Sequence, residues 1–136
     1  MKRIKQRHRT SCGVACFAMI TGASYNKSIK KVFPRRKPYS LLTTNALRLV
    51  KALLKFGLKV NYYDYNEHNI LDIKNKSILI IKALEGDGHA VVWDPESKRI
   101  LDPDRKRPLN IKSYNKRLIF IIEVEHINYK EHYGNA

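Results

Sequence analysis

The chain has 136 residues, of which 27 are Lys or Arg and 12 are Asp or Glu, so its formal net charge is +15. This length predicts one domain, residues 1–136, that is large enough to bury a substantial core, and no apolar run is long enough to span a membrane as a helix. The charge favours a nucleic acid, an acidic protein or an anionic membrane surface as partner, although a merely solvated basic surface has the same composition.

After a basic segment of nine residues, an apolar run begins at Ser11 and ends at Gly22. A small polar residue before the run and a glycine after it indicate a short buried helix with Ser11 as N-cap. Cys12 is then the first helical residue, where unpaired backbone N–H groups and the helix dipole favour a thiolate. Cys12 is therefore a candidate nucleophile. The alternative is that Cys12 and Cys16 are both small hydrophobic residues of the core.

The two cysteines are poorly placed for a disulfide if they lie four residues apart on one helix. We therefore expect free thiols and a reducing, cytoplasmic location. Basic residues before the apolar run resemble a secretion signal, but cleavage there would remove the Cys12 helix, so no signal peptide is expected. The spacing of His8, Cys12 and Cys16, even with His89 added, is not a common zinc pattern, so no metal and no cofactor are predicted.

Two more helices are predicted in the first half of the chain. Ile29, Val32 and Phe33 have helical spacing within a basic segment that spans residues 26–38, and this helix should end at Pro34. The basic segment is either a patch for an anionic partner or a solvated helix face. The clearest helix spans residues 40–57 and has an apolar stripe at three- and four-residue spacing, formed by Leu42, Ala46, Leu49, Val50, Leu53 and Leu54.

The second half of the chain has strand patterns separated by turn residues. The predicted strands are residues 58–64, 77–83, 88–94, 99–102 and 118–124, with a turn or short helix at 66–72 and turns at 86–88 and 95–98. Residues 126–136 form a polar, aromatic tail that is expected to be loosely held. Helices followed by antiparallel strands indicate an α+β domain.

The turn at residues 95–98 allows the position of a histidine partner to be predicted from strand pairing alone. Opposed residues, and residues two apart, share a sheet face. Asp102 therefore lies diagonally across from His89 on the same face, whereas Asp94 lies on the opposite face. Asp104 has the same parity as Asp102 but follows a proline that interrupts the strand. Pairing parity thus selects Asp102 as the residue that orients His89.

Four features of one catalytic pattern occur in order along the chain: Gln6, Cys12 followed by Gly13, His89 at the start of a strand, and Asp102 before a proline. Together they resemble the C39 peptidases, papain-like cysteine proteases that remove leader peptides ending in two glycines, as in bacteriocin processing. The resemblance covers residues 6–22 and 88–103 well and the intervening residues only in coarse pattern. Ser11 departs from it, because the family usually has an acidic residue there.

The resemblance implies a papain-like fold, with N-terminal helices packed on an antiparallel sheet. It also implies a Cys12–His89–Asp102 triad, with the Gln6 amide and the Cys12 backbone N–H donating to the oxyanion. The expected substrate is a peptide or protein, such as an acidic leader helix. A separate transporter or immunity-type protein is also an expected partner.

Two other functions fit the same residues. One is a basic toxin or effector domain on this scaffold that acts on RNA, because the net charge of +15 attracts polyanions. The other is a peptide-binding module that keeps the triad without turnover. Incubation with a double-glycine leader peptide and, separately, with total RNA distinguishes the three functions.

Overall fold

The computed structural model describes residues 1–7, 11–35, 45–64, 69–83 and 88–125. Within these ranges the elements are, in order, α1 (Cys12–Thr21), α2 (Tyr25–Val32), α3 (Ala46–Lys55), β1 (Lys59–Asp64), a 3₁₀ turn (Ile70–Asp72), β2 (Ser77–Lys82), β3 (Gly88–Asp94), β4 (Arg99–Leu101), α4 (Ile111–Arg117) and β5 (Leu118–Glu125). The predicted α+β class is confirmed. Among the described helices, none is long and apolar enough to cross a membrane.

The five strands form one antiparallel sheet in the order β1-β5-β2-β3-β4. The continuous apolar run of β2 occupies the centre, as expected for a strand that is covered on both faces. The β3–β4 hairpin has the predicted register, because Asp94 pairs with Arg99 and Val92 pairs with Leu101. This register carries the chain from β4 directly into Asp102.

Apolar side chains cover both faces of the sheet. On one face, α1, α2 and α3 pack against residues such as Ile78, Val92 and Ile122. On the other face, α4 and the 3₁₀ turn pack against alternating residues of the same strands, including Leu79 and Trp93. The alternation follows from the two-residue period of a strand, and it gives the sheet two separate cores.

Some predicted boundaries and burials differ from the structure. The helix predicted over 40–57 begins at Ala46, and residues 40–44 lie outside the described residues, as do the turn at 86–87 and the tail at 126–136. Leu54 was expected in the core but is 50% exposed, because the buried stripe of α3 runs along Leu49, Val50 and Leu53. The helix α4 was not predicted at all.

Candidate active site

The N-terminus of α1 separates the two cysteines by their access to solvent. The first hydrogen bond of the helix runs from the Ala15 N–H to the Ser11 carbonyl over 3.2 Å, so the Cys12 N–H has no acceptor within the helix. Cys12 is partly exposed, whereas Cys16 is fully buried one turn later. Burial raises the pKa of the Cys16 thiol well above its usual value, as does the nearby negative charge of Cys12. Cys16 is therefore a core residue, and Cys12 is the accessible thiol.

The imidazole of His89 connects Cys12 to Asp102. Its Nε2 atom lies 2.8 Å from Asp102 Oδ1, and the Cys12 side chain is close enough to the ring to act on the pKa of His89. Because Nε2 is engaged by the carboxylate, Nδ1 is the ring nitrogen left for the thiol. The side chain of His89 is 18% exposed and that of Asp102 is 3% exposed, so water is largely kept from this pair.

The charges of the site favour a protonated His89. Burial acts to lower the pKa of the imidazole, but the hydrogen bond to Asp102, the interaction with Cys12 and the charge of Asp102 raise it to about 10. Burial likewise acts to raise the pKa of Asp102, but hydrogen bonds from His89 and the Asp104 N–H, the charge of His89 and a bond from Tyr114 lower it. The arrangement therefore stabilises an imidazolium beside the Asp102 carboxylate.

The Asp102 carboxylate is held by donors at both oxygens. Oδ1 accepts from the Asp104 backbone N–H at 2.9 Å in addition to its bond with His89, and Oδ2 accepts from the Tyr114 hydroxyl at 2.8 Å. The competing candidate, Asp94, serves the β3–β4 turn instead. It accepts from the Glu96 N–H and from the Ser97 hydroxyl.

The N-terminal segment is bound to the chain that follows β4. The Arg3 guanidinium donates to the carbonyls of Asp102 and Pro103 over 2.6 and 3.2 Å, and the Gln6 N–H donates to the Pro103 carbonyl over 3.0 Å. Gln6 itself is only 8% exposed. These bonds place Gln6 beside the segment that carries Asp102.

Tyr25, the first residue of α2, connects the N-terminal segment to the start of α1. Its hydroxyl donates to Ser11 Oγ over 2.6 Å and accepts from the Arg7 N–H at 3.2 Å, and the Arg7 guanidinium lies 4.5 Å from its ring centroid. Ser11 thus occupies the N-cap position, but its side chain makes no capping hydrogen bond. The hydroxyl that was expected to cap the helix is bonded to Tyr25 instead.

The structure therefore brings Cys12 close to the hydrogen-bonded pair of His89 and Asp102, and it binds the Gln6 backbone to Pro103, next to Asp102. The site has three further partners that the sequence patterns do not indicate, namely Tyr114, Arg3 and Tyr25. Among the described residues, no three His, Cys, Asp or Glu side chains are grouped so as to hold a metal ion. His8, part of the zinc spacing considered above, lies outside those residues.

A cysteine at the start of a helix, close to a histidine on a strand that is bonded to a carboxylate, is the arrangement of papain-like cysteine peptidases. The profile of the peptidase C39 family matches residues 1–118. The chain belongs to this family.

Two solved structures share the fold. The peptidase domain of Streptococcus ComA, a bi-functional ABC transporter involved in a quorum sensing pathway, has a TM-score of 0.70 and 18% identity, over 90% of this chain and 96% of that one. A double glycine motif protease from an AMS/PCAT transporter, in complex with the leader peptide, has a TM-score of 0.65 and 18% identity, over 91% of each chain. A comparison with curated protein sequences gives no match.

Proposed function

We propose that this protein is a cysteine peptidase in which Cys12 is the nucleophile, His89 the general acid and base, and Asp102 the residue that orients His89. The observation that carries the proposal is the 2.8 Å hydrogen bond between His89 and the buried Asp102 carboxylate, with the accessible Cys12 thiol close to the same imidazole. In a peptidase the same groups form a thiolate–imidazolium pair.

The reaction follows from these positions. The Cys12 thiolate attacks the carbonyl carbon of the scissile bond, and the negative charge moves to the carbonyl oxygen. The N–H of Cys12, without a helical acceptor, and the side-chain amide of Gln6 are the proposed donors to that oxyanion. The tetrahedral intermediate collapses as the C–N bond breaks, and His89 gives its proton to the departing amine. A thioester on Cys12 remains.

Water completes the cycle. Neutral His89 removes a proton from a water molecule, which attacks the thioester carbonyl. The second tetrahedral intermediate releases the carboxylic acid product, and Cys12 leaves as a thiolate beside the reprotonated imidazole. The cycle needs a reduced Cys12, and both cysteines are free thiols, so we assign the protein to a reducing compartment such as the cytoplasm.

We propose a peptide bond after two glycines as the target, because one of the similar structures is described as a double glycine motif protease bound to a leader peptide. The direct test is to incubate the protein with a peptide that contains a Gly-Gly site and to identify the products by mass spectrometry. Total RNA in a parallel incubation tests the toxin alternative. We expect one cut after the second glycine and intact RNA. RNA cleavage that depends on His89, without peptide hydrolysis, would replace the peptidase proposal.

The distribution of charge suggests which peptides are bound. Residues 1–63 contain 15 of the 27 Lys and Arg residues and none of the 12 Asp and Glu residues, so the remainder of the chain is neutral overall. The entire net charge thus lies in the part that includes α1, α2 and α3. We propose that this basic half attracts an acidic segment of the substrate.

A groove between α2 and α3 is the proposed docking position. It has a volume of about 350 Å³ and is lined by Lys31, Val32, Pro34, Asn45, Leu47, Arg48, Lys51, Ala52 and Lys55. Four of these residues are cationic, and Leu47 offers an apolar contact because it is 59% exposed. A concave surface with both properties suits an amphipathic acidic helix. Nucleic acid would use the cations but would gain little from the leucine.

Reversing two charges of this groove is expected to weaken substrate binding without affecting chemistry. In the variant Lys51→Glu/Lys55→Glu, we expect the KM for an acidic peptide to rise about tenfold at 0.1 M salt with kcat unchanged. At 1 M salt the Debye length falls to about 3 Å, and the difference from the unmodified protein should nearly vanish. Steady-state kinetics at both salt concentrations make the comparison.

The matched control is Lys74→Glu/Lys116→Glu, which reverses two exposed lysines in the neutral part of the chain. If the two double variants had equally raised KM values, the attraction of the peptide would come from the net charge of the protein and not from the groove. The affinity for RNA would depend more steeply on salt, because a protein that makes several phosphate contacts loses orders of magnitude in affinity over a few-fold rise in salt concentration.

A further inference from the structure

The carboxylate of Asp102 has a partner beyond His89 that nothing in the proposed chemistry requires. Oδ1 is bonded to His89 and to the Asp104 backbone N–H, whereas Oδ2 accepts a 2.8 Å hydrogen bond from the Tyr114 hydroxyl. Asp102 and Tyr114 are both buried, with 2% and 0% of their surfaces exposed. In such surroundings a hydrogen bond to a charged group is strong, and its loss leaves a carboxylate oxygen without a substitute from bulk water.

The hydroxyl of Tyr114 is held in a fixed orientation. Its oxygen accepts from the Leu109 backbone N–H at 3.2 Å, so its single proton is committed to Asp102. The ring is packed in the core on the α4 side of the sheet, among residues that include Val91, Trp93 and Ile121. Burial and the bond to Asp102 raise the pKa of this hydroxyl, so it stays a proton donor throughout the useful pH range.

We propose that Tyr114 is a positioning residue of the active site, which fixes the plane of the Asp102 carboxylate and, through His89, the alignment of the imidazole with Cys12. The terminal torsion of an aspartate has broad rotational preferences, so one bonded oxygen does not define the plane of the carboxylate. A hydrogen-bond donor at each of the two oxygens defines that plane. This inference rests on the proposed function, since it assigns Tyr114 to the same Cys12–His89–Asp102 chain.

The first test is Tyr114→Phe, which removes the hydroxyl and keeps the ring. We expect kcat for peptide hydrolysis to fall roughly tenfold to a hundredfold, the range typical of removing an outer partner of a functional group, with KM unchanged. Tyr63→Phe is the matched control. It removes a comparable 3.0 Å bond from a tyrosine hydroxyl to the Glu123 carboxylate, away from the site, and should change kcat less than twofold.

A double-mutant cycle separates positioning from simple loss of stability. The readout is the rate at which iodoacetamide alkylates Cys12 near neutral pH, measured by peptide mass spectrometry. If Tyr114 acts through Asp102, Tyr114→Phe should slow alkylation several-fold in the unmodified protein but at most about twofold in Asp102→Asn. An equal slowing in both backgrounds, or no slowing in either, would overturn the proposal.

Alkylation needs no substrate, so this cycle also distinguishes two failures. If the protein hydrolysed no peptide but showed the expected coupling between Tyr114 and Asp102, the result would contradict the proposed function and support the role of Tyr114. A protein that hydrolyses peptide without the coupling would contradict the role of Tyr114 alone. Thermal melting of each variant confirms that alkylation rates are compared between folded proteins.

Discussion

Replacing Cys12 with alanine is expected to reduce peptide hydrolysis by about six orders of magnitude, which is below detection in an ordinary assay. The substitution removes the atom that attacks the carbonyl, and His89 and Asp102 have no other nucleophile to activate. Because Cys12 is partly exposed at the end of α1, its loss leaves little space in the core, and the fold should be retained. Product formation measured by mass spectrometry, together with thermal melting, provides the test.

Cys16→Ala is the matched control for this change. Cys16 lies on the same helix but is fully buried, so its truncation should lower stability by about 1 kcal/mol and leave kcat within a few-fold of the original value. Retained hydrolysis in Cys12→Ala, or its loss in Cys16→Ala alone, would show that the nucleophile has been assigned to the wrong residue.

Replacing Asp102 with asparagine is expected to lower kcat by roughly three to four orders of magnitude while leaving the fold intact. The amide has the shape of the carboxylate but not its charge, so it neither stabilises the imidazolium nor fixes the ring as well. Asp94→Asn is the control, because Asp94 is equally buried on the neighbouring strand but serves the β3–β4 turn. A greater loss in Asp94→Asn than in Asp102→Asn would contradict the assignment.

The same substitution predicts a change in pH dependence. The pKa of His89 is raised to about 10 in large part by Asp102, so a protonated imidazole is available to the leaving amine up to about that pH. Without the carboxylate the pKa should fall toward its ordinary value near 6.5. The alkaline limb of kcat/KM should therefore move to lower pH by more than one unit in Asp102→Asn.

Stability changes with pH for the same reason. The contribution of the raised His89 pKa is fully present below about pH 6.5 and is lost as the pH rises through about 10. The pKa of Asp102 is lowered, so its contribution is present above the ordinary carboxyl range and is lost as the pH falls through the lower folded value. Both contributions are complete between about pH 5 and 6.

The geometry of the hairpin was accessible from the sequence because local rules determine it. The four-residue turn fixed the register, and the two-residue period of a strand then placed Asp102 on the face of His89. The helix that begins at Cys12 was accessible for a similar reason, since Gly22 adopts the left-handed conformation, with φ of 75°, that ends such helices. The catalytic roles of these residues remain predictions.

The features that could not be predicted from the sequence depend on contacts between segments that are distant along the chain. The Tyr25 hydroxyl competes for Ser11 across 14 positions, so a local capping rule could not foresee the outcome. The helix α4, which carries Tyr114, could have been predicted, because Ile111, Tyr114 and Leu118 have helical spacing after an N-cap asparagine. The hydrogen bond from Tyr114 to Asp102 could not have been predicted, because the sequence does not indicate which group a buried tyrosine hydroxyl will contact.

The central claim is that a thioester forms on Cys12 during the reaction, and rapid acid quenching tests it most directly. The protein is mixed with excess double-glycine peptide, quenched within one turnover, digested and analysed by mass spectrometry. We expect the N-terminal product, which ends in the second glycine, to be attached to the fragment that contains Cys12, and we expect no such adduct in Cys12→Ala. Peptide cleavage without a covalent adduct, or with the adduct on Cys16, would contradict it.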